Sequence, residues 1–148
     1  MTPRRALVTG ATGGLGLALC EALRSAGYDV RATGRSTGPA ERLAGMGATF
    51  VRGDLLTMEH AGLCRDIDVV FHAAALSSPW GLRAAFQRIN VDATRELLTA
   101  ARAAGADIGR DLSMIELELR TALPSAPWLD LEAALHDGCD ALAVMRRV

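Results

Sequence analysis

Short apolar runs alternate with segments of helical periodicity along the first hundred residues of the chain. The runs that predict β-strands are Ala6–Thr9, Asp29–Thr33, Thr49–Arg52 and Asp68–His72. Between and after them, apolar residues recur at helical spacing over residues 15–26, 39–44, 58–64 and about 91–104. This alternation predicts an α/β fold, in which a doubly wound parallel sheet with right-handed crossovers has helices on both faces.

The alternation ends after Gly105. Residues 106–111 supply no apolar strand, and residues 112–123 fit both the period of a strand and the spacing of a helix. Leucine, methionine and glutamate favour a helix there, and apolar residues at 131, 135, 142 and 145 predict a final helix. We therefore expect a sheet truncated after about four strands in a domain of residues 1–105. An atypical, helical C-terminal segment, residues 106–148, is expected to pack on that domain.

The composition excludes several kinds of chemistry. The 148 residues include sixteen arginines, no lysine and one tyrosine, Tyr28. The chain therefore cannot supply a Schiff-base lysine or a phosphate-loop lysine, and acid catalysis by tyrosine would depend on Tyr28 or on another chain. A hydrophobic fraction of 50% and a charged fraction of 22% are typical of one globular domain. The net charge of −1 creates no field that would attract nucleic acid or an anionic membrane.

Neither a metal centre nor an export signal is indicated. Cys20, Cys64 and Cys139 form no Cys-x-x-Cys pair, and His60 and His136 lie far apart in the sequence. The first apolar run is too short for a signal peptide, and no stretch approaches the roughly 20 apolar residues of a membrane helix. These features predict a cytoplasmic protein without a metal site or membrane contact.

A glycine-rich loop follows the first strand and opens the first helix. Residues 9–16 read Thr-Gly-Ala-Thr-Gly-Gly-Leu-Gly, with glycines at 10, 13 and 16. In this spacing one glycine permits a sharp turn, one lets backbone amides approach a pyrophosphate, and one lets the helix pack closely on the sheet. The helix N-terminus adds unpaired N–H groups and partial positive charge. The context predicts a dinucleotide site in a Rossmann-type fold; a purely structural turn is the alternative.

The end of the second strand in such folds selects between NAD and NADP. An acidic residue there binds the ribose 2′-hydroxyl, whereas a basic residue suits a 2′-phosphate. This chain has Thr33-Gly34-Arg35-Ser36, which contains no acid. Arg35 can form a forked contact with a phosphate, and Ser36 can donate a further hydrogen bond, so NADP(H) is favoured over NAD(H). The alternative is a solvated arginine that stacks on adenine and selects neither cofactor.

Three further motifs follow the third and fourth strands and open the last helix of the domain. They are Gly53-Asp54-Leu55, His72-Ala73-Ala74-Ala75 and Asn90-Val91-Asp92-Ala93-Thr94. Together with the glycine loop, they make residues 5 to about 104 resemble the N-terminal half of an extended short-chain dehydrogenase/reductase, of the NAD-dependent epimerase/dehydratase group. One departure is Ala93, which replaces the glycine of the family's Asn-Val-x-Gly-Thr motif.

The resemblance implies a role in cofactor binding for each motif. It places on the pyrophosphate Gly10, Thr12, Gly13, Leu15 and Gly16. It places on the 2′-phosphate Arg35 and Ser36, and beside adenine Asp54 and Leu55. It places under the nicotinamide-side ribose Ala73, Ala74 and Ala75, with Asn90 nearby. The loop expected to begin the substrate pocket contains Ser77, Ser78, Pro79 and Trp80.

Some of these residues have a structural alternative. Asp54 would only cap the turn that follows it. His72 ends a buried strand, so a hydrogen-bonded core histidine is favoured over a catalyst. Trp80 would simply cover the edge of the sheet.

The catalytic residues remain unassigned. The family's reaction uses a serine after a fifth strand and a Tyr-x-x-x-Lys pair, in which lysine lowers the pKa of the tyrosine that transfers the proton. This chain has no lysine and no tyrosine after Tyr28, which lies between the first helix and the second strand.

Three functions therefore stay open. The first is an NAD(P)-binding domain that lacks the catalytic pair. The second is an oxidoreductase or epimerase for a small carbonyl or hydroxyl compound or a sugar nucleotide, with catalytic groups from a partner chain. The third is a non-catalytic, dimerising interaction module. The partners considered are the dinucleotide cofactor and a homodimer or another chain that completes the sheet.

Overall fold

Four parallel strands form the centre of the molecule. A computed structural model describes residues 2–78 and 80–106, which belong to a compact unit that spans Met1–Ile108. The strands are β1 (Arg5–Thr9), β2 (Asp29–Gly34), β3 (Thr49–Arg52) and β4 (Val69–His72). Their order in the sheet is β3-β2-β1-β4, and every neighbouring pair is parallel. The parallel, Rossmann-type sheet predicted from the sequence is confirmed.

The central strand β1 is buried on both faces. Ala6, Leu7 and Val8 are completely inaccessible to solvent, as is Thr9 at the carboxyl end of the strand. A strand that is apolar at successive positions suits a sheet with helices on both sides, since neither face meets water.

Helices cover both faces of this sheet. They are α1 (Gly14–Ser25), α2 (Ala40–Gly45), α3 (His60–Cys64), α4 (Arg83–Phe86), a π-helical segment (Gln87–Asp92) and α5 (Ala93–Ala103). α1 contacts β1 and β2, α2 contacts β3, and α3 packs against α5. The core beneath α3 and α5 consists of Leu7, Leu63, Cys64, Ile67, Leu97, Ala101 and Ala106.

Hydrogen bonds at the helix ends explain where the elements stop. Glu59 caps α3, because its carboxylate accepts the Gly62 N–H at 2.7 Å. α1 ends at Ser25, and the predicted cap residue Gly27 follows it with a φ of 86°, which lets the Tyr28 N–H return to the Leu23 carbonyl at 2.9 Å.

Several element boundaries differ from those predicted; for example, α3 begins at His60 rather than at Met58. α2 was expected to end before Gly45, but Gly45 is its last helical residue and the chain reverses at Gly47 instead. The helical region after β4 begins at Arg83 rather than near residue 91. Residues 83–90 have exposed or half-buried side chains, so no buried apolar stripe marks the first turns in the sequence.

The expectations for residues 107–148, including the helical C-terminal segment and its packing, lie outside the described residues, as does Pro79. Across the described ranges, no helix is long and apolar enough to cross a membrane. The same ranges contain no cluster of side chains suited to a metal ion.

Candidate cofactor site

The predicted site residues meet at the carboxyl edge of the sheet. β1 lies between β2 and β4 in the sheet. The connection from β1 therefore leads toward β2, on the side of β1 opposite to β4, which creates a switch point between β1 and β4. Ligands of open α/β sheets bind in the crevice that such a switch point creates. The glycine loop follows β1 there, and the Ala73–Ala75 segment follows β4.

Gly10 brings these two segments into backbone contact. Its φ is 64°, in the left-handed region that favours glycine. A Cβ at this position would lie 2.7 Å from the Ala74 nitrogen and 2.8 Å from the Ala73 carbonyl oxygen. Only glycine therefore allows the sharp turn and the close approach at once, as the spacing of the loop predicts.

The other glycines of the loop divide into one that is packed and two that are open. A Cβ on Gly16 would overlap the Gly10 carbonyl oxygen and lie 2.6 Å from the Ala11 Cα. A Cβ on Gly13 would meet only the Gly10 carbonyl oxygen, at 3.4 Å, and one on Gly14 would meet nothing within 4 Å. The loop thus lets α1 pack closely at Gly16 and keeps the backbone above Gly13 clear.

The first turn of α1 is electrostatically suited to an anion. Gly13 is the N-cap and provides no side-chain hydrogen bond, and the first turn contains no acidic residue. The helix has 12 residues, so its dipole places partial positive charge at this end. Leu15 lies in the same turn with its side chain 61% exposed.

The glycine loop is attached directly to the end of β2. The Ala11 N–H donates to the Thr33 carbonyl oxygen at 3.0 Å, and a Cβ on Gly34 would lie 2.6 Å from Thr12 Oγ1. Arg35, the next residue, is exposed on this edge. The residues predicted to hold the pyrophosphate and the 2′-phosphate therefore share one continuous surface.

Ser36 and a second arginine, Arg52, lie at the same end of the candidate site. Ser36 Oγ accepts the Gly38 N–H at 3.3 Å, which shapes the turn after β2. Arg52, at the end of β3, donates from Nε to the Arg35 carbonyl oxygen at 3.2 Å. The sequence did not single out Arg52, because its proximity to Arg35 depends on the register of β2 with β3.

Asp54 makes the capping contact that was considered as its structural alternative. Its Oδ1 accepts the Leu56 N–H at 2.9 Å, and the Asp54 carbonyl accepts the Met58 N–H at 2.9 Å. Leu55 is half-buried and packs against the core beneath α3 and α5. The contact of these two residues with adenine remains a prediction.

His72 is held at both ring nitrogens by threonine hydroxyls. Nδ1 lies 2.6 Å from Thr9 Oγ1, and Nε2 lies 2.9 Å from Thr94 Oγ1. Thr9 Oγ1 also accepts the Ala74 N–H at 3.3 Å, so the network fixes the segment after β4. Burial and, secondarily, the charge of His60 lower the pKa of His72 to about 4. A neutral histidine with both nitrogens engaged agrees with the predicted core role rather than with catalysis.

His60 is half-buried with a side chain that is 10% exposed, and the sequence considered it only as a possible metal ligand. Its Nδ1 lies 3.8 Å from a Glu96 carboxylate oxygen, and its Nε2 is buried with no hydrogen-bond partner within residues 2–78 and 80–106. Its effect on the site is indirect, through the pKa of His72.

Asn90 is joined to the loop that follows the Ala73–Ala75 segment. Its Oδ1 accepts the Leu76 N–H at 2.8 Å, and its Nδ2 donates to the Leu76 carbonyl oxygen at 3.1 Å. The oxygen and the NH2 group of the Asn90 side chain are thus both hydrogen-bonded to the backbone of Leu76. Asn90 positions this loop, and its predicted proximity to the nicotinamide-side ribose remains a prediction.

The substrate-side loop is open to solvent. Trp80 is 84% exposed, so it does not cover the sheet edge, which contradicts the structural alternative considered for it. The Ser78 hydroxyl donates to the Trp80 carbonyl oxygen at 2.7 Å and orders this turn. Ser77 is also exposed.

Tyr28 takes no part in this edge. It precedes β2, and its buried ring packs edge-on against Phe71 with 6.5 Å between ring centroids. The Arg4 guanidinium lies 6.0 Å from the centre of the same ring. The chain's one tyrosine is therefore a core residue at the other end of the sheet.

Comparison with known proteins identifies the family. Residues 6–114 match the family model described as the NAD dependent epimerase/dehydratase family. The chain belongs to this family. The family assignment confirms the resemblance predicted from the sequence motifs.

Relatives within the epimerase/dehydratase family include reductases and epimerases. The chain is 43% identical over 96 residues to the uncharacterized protein YbjS of Escherichia coli, covering 63% of this chain and 28% of YbjS. It is 41% identical over 102 residues to a 4-hydroxy-2-methyl-3-oxo-4-farnesyl-3,4-dihydroquinoline-1-oxide ketoreductase of Stigmatella aurantiaca, covering 66% and 30% of the two chains. The UDP-glucuronic acid 4-epimerase of Bacillus cereus, solved in complex with NAD, is 33% identical with a TM-score of 0.57. That match covers 70% of this chain and 37% of the epimerase.

The chain thus spans less than a third of the length of these two curated relatives. The part of the chain that matches the family model includes the glycine loop and all of the four strands except Arg5.

Proposed function

We propose that the chain binds NADP(H) along the carboxyl edge of its sheet and selects it over NAD(H). The observation that supports this most strongly is the exposed Arg35 at the end of β2, where selection for NAD would require an acid. Among the described residues, the Arg35 guanidinium has no hydrogen-bond or ion-pair partner, so its charge is available to a phosphate.

The pyrophosphate would lie over the glycine loop. Gly10, Thr12, Gly13, Leu15 and Gly16 form this surface, as the resemblance implies. The uncapped N-terminus of α1 offers backbone N–H groups and partial positive charge, and the open space above Gly13 admits phosphate oxygens. Because the chain has no lysine, its phosphate contacts depend on these amides and on arginine.

The nicotinamide-side ribose would lie against the backbone of Ala73, Ala74 and Ala75. The close approach of the Gly10 backbone to Ala73 and Ala74 would bring the ribose end of the cofactor beside the pyrophosphate loop. Thr9 Oγ1, which is paired with His72 Nδ1, accepts the Ala74 N–H, and Asn90 holds Leu76 directly after this segment. The adenine would lie at the other end, flanked by Asp54 and Leu55.

The activity of the whole protein follows from its relatives only as a proposal. A bound nicotinamide cofactor supplies hydride-transfer chemistry, and the protein supplies binding and orientation. A ketoreductase and a 4-epimerase among the similar proteins favour an oxidoreductase or epimerase that acts on a carbonyl or hydroxyl group. The 148 residues contain no Tyr-x-x-x-Lys pair, so these residues are proposed to contribute the cofactor site alone.

The selectivity is tested by Arg35→Asp. The new carboxylate repels a 2′-phosphate and accepts hydrogen bonds from a 2′-hydroxyl. We therefore expect the Kd for NADPH to rise by about tenfold or more while the Kd for NADH stays equal or falls, as measured by fluorescence titration. NADH serves as the control for folding. An unchanged NADPH affinity would refute the role of Arg35.

A partner that completes the sheet is the second proposal. In the described sheet β4 pairs only with β1, so its other edge presents unpaired N–H and C=O groups. We propose that a second copy or another chain pairs with this edge. Sedimentation over a wide concentration range is expected to show a mass that increases with concentration, and a monomeric mass throughout would exclude pairing between copies.

A further inference from the structure

The ends of β2 and β3 bring two arginines together. Gly34 is the register partner of Arg52, and the Gly53 N–H donates to the Gly34 carbonyl oxygen at 3.1 Å. Arg35 follows Gly34 directly, so the two arginines leave adjacent strands at the same edge of the sheet. Both are exposed.

One hydrogen bond fixes how Arg52 meets the β2 turn. Its Nε donates to the Arg35 carbonyl oxygen at 3.2 Å. This contact uses one of the five N–H groups of the guanidinium and leaves the four on its terminal nitrogens for another acceptor. Lysine has a single ammonium group and could not hold the backbone through Nε while presenting a separate pair of donors.

The charge of this arginine pair is not neutralised locally. Arg5, Arg42 and Arg95 each have a carboxylate partner. For Arg35 and Arg52, no such partner exists within residues 2–78 and 80–106. The neighbouring Asp54 is half-buried and has Oδ1 engaged by the Leu56 N–H.

The pair also adjoins the pyrophosphate surface. Thr12, in the glycine loop, lies so close to Gly34 that a Cβ on Gly34 would be 2.6 Å from Thr12 Oγ1. The Ala11 N–H donates to the Thr33 carbonyl oxygen. An adenosine ribose attached to a pyrophosphate on this loop therefore extends toward the ends of β2 and β3.

We propose that Arg52 is a second ligand of the 2′-phosphate and, together with Arg35, determines selection of NADP(H). This inference rests on the proposed cofactor site and adds a residue to it. Nε holds the turn that presents Arg35, and the terminal nitrogens of Arg52 donate to phosphate oxygens. Two guanidinium groups would then match the two negative charges of a phosphate monoester.

The test compares Arg52→Gln with Arg102→Gln in the full chain. Arg102 is an exposed arginine in the last turn of α5, and it is not part of the proposed site. Its replacement by glutamine removes the same charge as Arg52→Gln. Titrations with NADPH, NADH, 2′,5′-ADP and 5′-AMP report on the phosphate separately from the rest of the cofactor. Arg52→Lys retains the charge and lacks the Nε contact.

Arg52→Gln is expected to raise the Kd for NADPH and for 2′,5′-ADP about tenfold. The Kd values for NADH and 5′-AMP should change by less than about twofold. The NADPH affinity of Arg52→Lys should lie between that of Arg52→Gln and that of the unchanged protein. The NADPH affinity of Arg102→Gln should equal that of the unchanged protein. If the protein selects NADPH but Arg52→Gln weakens both cofactors equally or neither, the role of Arg52 is refuted and the cofactor proposal stands. If the unchanged protein binds neither cofactor, or prefers NADH, both proposals are refuted.

Discussion

At the scale of single residues, the arginines divide into structural and exposed groups. Arg31 donates from Nη1 to the carbonyl oxygens of Leu63 and Arg65, at 2.7 and 2.8 Å, and thereby caps the C-terminal end of α3. Arg24 similarly binds the Met46 carbonyl after α2 at 3.0 Å. A guanidinium can hold several carbonyls at once, which explains how arginine serves these helix ends without lysine. From the sequence, a function could be predicted for Arg35 alone among the arginines. The contacts of Arg24 and Arg31 join residues that are distant along the chain, so no local pattern predicts them.

The glycine loop shows which site features the sequence could establish. Gly10 and Gly16 have the close contacts that their spacing predicted, since the motif itself encodes a tight turn followed by a packed helix. Arg52 and His60 were not foreseen. Their significance depends on the register of β2 with β3 and on the packing beside α5, which no local pattern reveals.

Two neighbouring glycines provide a matched test of this packing. Gly16→Ala would force a methyl group against the Gly10 carbonyl, so we expect the free energy of unfolding to fall by about 1–3 kcal/mol. Gly14→Ala has open space in the same helix and should raise it by up to about 1 kcal/mol. Urea denaturation of both variants measures the difference. Equal effects would contradict the packing described for α1.

At the scale of elements, the strands were more predictable than the last helices. β3 has the predicted bounds, and the other strands differ by one residue at an end, because each is a short apolar run with few alternatives. The helical residues 83–90 were missed. They comprise α4 and most of the π-helical segment, whose exposed and half-buried side chains give no clear 3.6-residue period.

The π-helical segment presents Asn90 to the loop after β4. Asn90→Leu removes both hydrogen bonds to Leu76, so we expect the Leu76 amide to exchange its hydrogen at least about tenfold faster. Asn90→Asp retains the acceptor at Oδ1 and is expected to preserve most of that protection. Hydrogen exchange measured by NMR distinguishes these outcomes. Unchanged exchange in Asn90→Leu would show that the loop is ordered by other contacts.

At the scale of the whole molecule, topology converts separate motifs into one site. The order β3-β2-β1-β4 places the glycine loop between the end of β2, where Arg35 lies, and the segment after β4. The alternation of elements predicted a parallel sheet with right-handed crossovers, and the structure supplies the strand order. Whether that edge selects NADP depends on charge and contacts at Arg35 and Arg52, which motif spacing alone does not determine.

The most direct measurement of the central claim is a calorimetric titration of the full chain with NADPH and, separately, with NADH. We expect saturable binding of NADPH with a Kd at least about tenfold lower than that for NADH, because only NADPH carries a 2′-phosphate that the exposed arginines can bind. Absence of binding to either cofactor at millimolar concentration, or a preference for NADH, would contradict it.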